Sequence, residues 1–229
     1  MTEQTNNIND ILQYISSNNV INITLPYSNK TKEIKRYSVN SLNVINEVFE
    51  KEKTSEIAIE YLKYLFKLAD NRIDKQDNYI DFLYVIAKIR ETESSKYNNI
   101  DLTQTLKEVT KDKIKLEKTT TEFKDGPIKY KVEVELPTFA KLEKILSAAK
   151  TETKDIIFYN TFKFVKNIEI VVKDKRSSVS EPEDLYQLYN VLSYKALERI
   201  SRLTNSVSGN IDSLFKVSIE TDTGFLYSI

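Results

Sequence analysis

Apolar residues in the first hundred positions follow two spacings, one typical of strands and one typical of helices. Residues 20–25 form a short apolar run that Pro26 ends, a polar turn follows, and residues 33–39 form a second run rich in basic and aromatic side chains. Proline is confined to strand ends and edges, and Ser28 and Asn29 favour turns. This pattern predicts a β-hairpin.

Helical spacing dominates the segments on either side of this hairpin. Apolar side chains recur three or four residues apart over residues 39–52, 54–71 and 77–93, and the last of these is the most apolar. Asp77 or Asn78 is the predicted cap of that helix. The N-terminal segment repeats the spacing with Ile8, Ile11, Leu12 and Ile15, which predicts a short helix that either packs on the body or orders on a partner.

The second half begins with strand patterning and returns to helices. Apolar and charged residues alternate over 114–136, with a turn at Asp125-Gly126-Pro127, so we expect an antiparallel sheet with one wet face. Helices are predicted over 139–149 and 155–166, and residues 168–172 form a strand or a helix end. A helix with Ser180 and Glu183 as its capping box is predicted to run on to Gly209, and the tail predicts two short strands.

Together these elements predict an α+β protein. Its antiparallel β-hairpins pack with several amphipathic helices, in two loosely similar halves, 1–110 and 111–229, that form one compact body. A Leu-Pro pair follows a strand in each half, at Leu25–Pro26 and at Leu136–Pro137. No run approaches the ~18 apolar residues of a membrane span, and residues 1–17 lack the basic start of a signal peptide.

Composition narrows the chemistry further. The 229 residues include no Cys and no His, and only three are Gly. Thiolate metal sites, Ser-His-Asp catalysis and Gly-rich phosphate loops therefore cannot be built, and we expect neither an enzyme nor a cofactor. Lys plus Arg equals Asp plus Glu, at 34 each, whereas nucleic-acid binders normally carry a basic excess.

Two other classes of function remain open at this point. Asp70, Asp74, Asp77 and Asp81 lie close in sequence, and carboxylates can hold Mg²⁺ or Ca²⁺, although capping and solvation are the simpler explanation. A carboxylate-dependent enzyme would need Asp70, Asp74 and Asp77 to converge in a cleft. A nucleic-acid-associated protein would need its basic residues gathered on one face.

Two stretches carry a resemblance to a known family. "VINITLPYSNKTKEIKRYSV" (20–39) and "NYIDFLYVIAKIRE" (78–91) resemble the baseplate hub and hub-assembly proteins of T-even-type contractile-tailed phages. That family opens with a strand ending in Leu-Pro, a polar turn and a basic-aromatic strand, followed by a helix matched here by Asp81, Phe82, Leu83 and Arg90. Several members carry a Cys pair in the C-terminal tail, and this chain departs from them.

The resemblance implies a non-enzymatic component of the tail baseplate, either in the virion or acting in the host cytoplasm during assembly. Its partners would be other baseplate or tail proteins, with no small-molecule substrate and no metal. Tyr and Arg are favoured in protein interfaces. The predicted partner-binding residues are Tyr27, Lys35, Arg36, Tyr37, Arg90, Phe225 and Tyr227.

Overall fold

The computed structural model describes residues 19–36, 72–93, 96–97, 100–114, 116, 119–149, 153–215, 219–221 and 224–226, with further helical positions at 8, 11, 14, 15, 62, 63, 65–67 and 69. The chain is an α+β protein, as its sequence pattern predicts. The helix expected over 39–52 lies outside the described residues, as do Tyr37, Asp70 and Tyr227.

The first described strands form the predicted hairpin. β1 (Val20–Thr24) pairs antiparallel with β2 (Thr31–Lys35). Ile23 and Ile34 are buried on the inner face, and Leu25 is buried where β1 ends. The outer face, which includes Asn22, Thr24, Thr31, Glu33 and Lys35, is exposed.

Two helical segments cover the hairpin's half of the core. α1 (Tyr79–Glu93) begins at Asn78, whose side-chain Oδ1 accepts hydrogen bonds from the N–H groups of Ile80 and Asp81 at 2.8 and 3.2 Å. Of the two predicted caps, Asp77 and Asn78, it is Asn78 that caps the helix. In the helix predicted over 54–71, the described positions with apolar side chains are helical and buried: Leu62, Leu65, Phe66 and Ala69.

Short elements lead to the second half of the chain. β3 (Lys96–Tyr97) pairs with β4 (Ile100–Asp101), and α2 (Leu102–Glu108) follows, capped by the Asp101 carboxylate. Lys111–Lys113 forms one 3₁₀ turn.

A four-stranded antiparallel sheet dominates the second half. Its order is β5 (Thr120–Asp125), β6 (Ile128–Val134), β7 (Val165–Val172) and β8 (Lys175–Val179). Tyr130, Val132 and Val134 are buried on the inner face, while Lys129 and Lys131 alternate with them on the outer face. The alternation that predicted one wet face is thus present in β6.

Helices lie between β6 and β7 and after β8. α3 (Phe139–Ala148) and α4 (Thr153–Phe162) form the connection, and α5 (Pro182–Val191) and α6 (Tyr194–Phe215) follow the sheet. One side of α6 is buried, and the helix packs against α2, α4 and β5. Its buried residues keep helical spacing: Ala196, Ile200, Leu203, Val207, Ile211 and Phe215. The tail forms the predicted hairpin of β9 (Ile219–Thr221) and β10 (Gly224–Leu226).

Three predicted helix boundaries are wrong. The helix expected to reach Lys166 ends at Phe162, because Val165 and the residues after it pair with β6 as β7. Ser180 is not a cap; Glu181 holds that position and makes no side-chain capping bond. The helix expected to end at Gly209 is two helices, and Gly209 lies inside the second of them.

The break between those two helices has a local cause. Leu192 adopts an extended conformation, with φ −63° and ψ 141°. Ser193 Oγ then accepts a hydrogen bond from the N–H of Ala196 at 3.1 Å and caps α6.

The core draws residues from both sides of position 110. Phe139 stacks on Phe66 with ring centroids 5.2 Å apart and lies 5.5 Å from Phe82. Tyr79 meets Phe164 edge to face at 5.5 Å. The backbone joins the same regions, because Tyr79 N–H donates to the carbonyl of Pro137 at 2.9 Å and Phe139 N–H donates to that of Asp77 at 2.7 Å.

Candidate functional site

Two buried carboxylates at the start of α1 hold the β1–β2 hairpin in place. Asp77 and Asp81 are 1% and 0% exposed, and they lie four positions apart. A buried carboxylate needs hydrogen bonds or a cation to offset its lost hydration. The hairpin supplies these partners, so the predicted hairpin and the predicted acidic cluster form one site.

The Asp81 carboxylate accepts hydrogen bonds from the turn that follows Leu25 and Pro26. Its Oδ1 accepts a hydrogen bond from the Tyr27 N–H at 3.0 Å, and its Oδ2 accepts one from the Ser28 N–H at 3.1 Å. Burial raises the pKa of Asp81, and the bonds from the turn oppose this only in part. The carboxylate thus anchors one particular turn conformation.

The Asp77 carboxylate binds two lysine side chains of the same hairpin. Its Oδ1 accepts from Lys30 Nζ at 2.8 Å and its Oδ2 from Lys32 Nζ at 2.5 Å, and the Asp74 N–H donates to Oδ2 at 3.0 Å. Burial alone would raise the pKa of Asp77, but these hydrogen bonds together bring it below its ordinary value. Asp74 extends the network, 2.9 Å from Lys32 Nζ.

This arrangement differs from a cation site. The side chain of Asp77 is already neutralised by two ammonium groups. In the part of the chain that the structure describes, no three acidic residues come together as metal ligands.

An open polar groove of about 700 Å³ runs beside β2. Its lining residues are Lys30, Thr31, Lys32, Glu33, Arg72, Ile73 and Asp74. Arg72 closes one end, because its Nε donates to the carbonyl of Lys35 at 2.6 Å and its Nη2 donates to that of Arg36 at 3.3 Å.

Every second residue of β2 directs its backbone N–H and C=O groups toward this groove. Leu25 N–H donates to the carbonyl of Lys30, and Arg36 N–H donates to that of Asn19, so the even-numbered residues of β2 bond to β1. Thr31, Glu33 and Lys35 therefore direct their backbone groups away from β1. Within the described residues, no strand pairs with this edge of β2 at Thr31 and Glu33, whereas the Lys35 carbonyl is bonded to Arg72.

The predicted partner-binding residues occupy different places. Tyr27 is half-buried with Lys111 Nζ 5.1 Å from its ring centroid, Lys35 is exposed, and Arg36 is half-buried. All three lie on the hairpin, but Tyr27 is in its turn and Lys35 and Arg36 are at its opposite end, where Lys35 pairs with Val20. Arg90 is 8% exposed and lies nine residues after Asp81, about 13 Å further along α1. Phe225 lies in β10, where only the backbone is described.

The carboxylate partners within the hairpin were missed by sequence reasoning. The signal was Lys32, which shares the inner face of the hairpin with Ile23 and Ile34. A lysine at an inward position of a strand indicates a buried acidic partner. No sequence signal indicated that Arg72 donates to the backbone carbonyls of Lys35 and Arg36. That contact depends on where residues 72–74 lie in the folded chain.

No family model, curated protein or solved structure matches the chain. Within the described residues, no helix is long and apolar enough to cross a membrane.

Proposed function

We propose that this chain is a non-enzymatic component, or an assembly protein, of a contractile-tail baseplate hub and that it acts through protein–protein contacts. One observation carries the proposal. The two stretches that resemble the hub family, 20–39 and 78–91, are joined by hydrogen bonds in which Asp81 accepts the N–H groups of Tyr27 and Ser28.

This contact supports the resemblance for a physical reason. Two short matches that arose by chance, 53 and 54 positions apart at their meeting residues, have no reason to touch in space. Matches that reflect a shared fold are expected to touch where they maintain it. The Leu-Pro pair marks where β1 ends, and Asp81 binds the turn that follows.

The second Leu-Pro pair supports the same view of α1 as an organising helix. The carbonyl of Pro137 accepts the N–H of Tyr79, two positions before Asp81. Both strand ends with a Leu-Pro pair therefore abut the first turn of α1.

The hairpin surface fits a role in binding proteins. In the part of the chain that the structure describes, it combines a polar outer face, an edge of β2 with no strand paired to it and the exposed Lys35 with a rigid attachment through Asp77 and Asp81. An extended segment of a partner can add to such an edge through backbone hydrogen bonds.

Mass spectrometry of baseplate assemblies and complete particles from the source of this chain tests the proposal. A few copies per particle would identify a hub subunit, and presence in hub intermediates but not in particles would identify an assembly protein. Absence from both would overturn the proposal.

A variant of the hairpin surface makes the test site-specific. We expect Lys35→Glu to reduce incorporation into baseplates, and Lys144→Glu, the same change at an exposed position of α3, to leave it unchanged. Equal incorporation of the two variants would contradict the assignment of the hairpin as the contact surface.

A further inference from the structure

Positive side chains gather at one end of the four-stranded sheet. The β5–β6 turn, Gly126 and Pro127, and the β7–β8 turn, Lys173 and Asp174, lie at the same end, because Ile128 pairs with Val172. The cationic end, as we name this surface, consists of Lys124, Lys129, Lys173, Lys175 and Arg176, all of them exposed.

Two of these lysines face each other directly. Lys124 pairs with Lys129 across β5 and β6, in the pair next to the one that closes the two-residue turn. That pair is of the type in which side chains lie closest, and like charges in direct opposition destabilise a sheet. Folding alone therefore gives no reason for this pair.

Acidic neighbours offset part of this charge, since the exposed Glu122 lies on the same outer face two residues before Lys124. Within the described residues, Arg176 pairs with Glu169 at 2.9 Å, and none of the four lysines forms an ion pair. Asp125 lies on the inner side of β5, where Ser193 Oγ donates a hydrogen bond to it. Asp174 is the one carboxylate at the tip of the β7–β8 turn.

Lys173 occupies a backbone conformation that does not favour lysine. It adopts φ 46°, and Asp174 after it adopts φ 67°. Two-residue turns with positive φ at both positions favour Asn and Gly, and a side chain with a Cβ is strained there. A lysine in this position places a positive charge at the tip of the turn.

We propose that the cationic end binds an acidic surface of a partner protein. This inference rests on the proposed function only in taking the partner to be a protein. Val171, half-buried on the outer face, lies between Lys129 and Arg176 in neighbouring strands. An apolar residue within a charged rim is the usual organisation of a protein interface.

Nucleic acid fits this surface less well. The rings of this sheet, Phe123 and Tyr130, stack on each other at 5.0 Å on the inner face, where bases cannot reach them from the cationic end. Single-stranded nucleic acid is bound by exposed aromatic rings combined with a continuous basic groove. Here the outer face has Val171 in place of a ring.

Fluorescence anisotropy with a labelled deca-glutamate peptide, at low and at physiological salt, tests the proposal. We expect binding at low salt that weakens as salt rises, and at least tenfold weaker binding by the Lys124→Glu, Lys129→Glu double variant. The matched control, Lys107→Glu with Lys144→Glu, makes the same change in net charge at exposed helix positions and should bind within twofold of the wild type.

Lys173→Asn separates binding from folding. We expect this variant to unfold at higher urea than the wild type, because Asn tolerates the left-handed conformation, and to bind the peptide about threefold more weakly. A purely structural role for Lys173 would raise stability without changing affinity, and that result would count against the proposal.

Several outcomes would overturn it. These are no peptide binding at low salt, an equal loss of affinity in the control double variant, and tighter binding of a labelled dT15 oligonucleotide than of the peptide. The last result would identify a nucleic-acid partner. If the chain is absent from baseplates but peptide binding behaves as expected, the proposed function fails and the acidic-partner inference stands.

Discussion

Asp81 accepts a hydrogen bond from the backbone N–H of Tyr27 at 3.0 Å, across 54 positions of sequence. The acceptor is fully buried and lies in the first turn of α1, and the donor lies in the turn after Leu25–Pro26. The Asp81 carboxylate therefore fixes the turn of the hairpin on the body, beside the Asp77 carboxylate that binds Lys30 and Lys32.

Replacing this carboxylate should loosen the hairpin. Asp81→Asn keeps the size of the side chain but presents an NH₂ group to one of two N–H donors, so one bond is lost and a buried donor is left unsatisfied. We expect the free energy of unfolding to fall by about 1–3 kcal/mol. Urea unfolding measures this, with Asp112→Asn at an exposed position as the control. Equal midpoints for the two variants would contradict the anchoring role.

Asp77 should make stability depend on acid pH. Its pKa is lowered in the folded chain, so its contribution is fully present above its ordinary pKa of 3.8 and is lost as pH falls through the folded pKa. The pKa of Asp81 is raised, and its contribution has the opposite sign: protonation of Asp81 favours the folded state.

Asp77→Asn should therefore be most harmful at neutral pH. We expect the difference in unfolding free energy between the wild type and this variant to be constant near neutrality and to narrow below about pH 4. Urea unfolding at several pH values measures that difference. A gap that is as wide at pH 3 as at pH 6 would show that the lysine hydrogen bonds do not stabilise the ionised form.

Packing of the Phe139 ring should make the residues before and after position 110 unfold together. It is fully buried against Phe66 and Phe82, which come from the other side of position 110. We expect Phe139→Ala to lower the free energy of unfolding by about 3–5 kcal/mol while unfolding remains a single transition. Ile157→Ala, at a side chain 38% exposed, is the control. Separate transitions for the two halves would contradict a shared core.

Two glycines should respond to alanine with opposite signs. Gly126 adopts φ 56° in the β5–β6 turn, so Gly126→Ala should cost about 1–2 kcal/mol of stability. Gly209 lies inside α6, and a Cβ added there would meet no neighbouring atom, so Gly209→Ala should gain about 0.5–1 kcal/mol through helix propensity. Thermal unfolding measures both, and destabilisation by Gly209→Ala would mean that α6 ends near this residue.

Local elements of this protein follow from the sequence because their causes are local. The hairpin over 20–35, the start of α1 at Asn78 and the alternation in β6 each depend on side chains within a few positions of one another. The same reasoning located the hairpin correctly and singled out Asp74, Asp77 and Asp81, but it expected the acidic cluster to be solvated and separate from the hairpin, whereas Asp77 and Asp81 are buried against it.

Tertiary structure decided how those features meet. α4 ends at Phe162 because residues from Val165 onward pair with β6, whose residues lie 31 to 44 positions earlier in the chain. Lys30 and Lys32 neutralise Asp77, and the two turns of the sheet come to the same end only through the pairing of Ile128 with Val172. Spacing along a chain reports which face a side chain occupies, whereas hydrogen bonds and charge pairs between distant segments depend on how those faces pack.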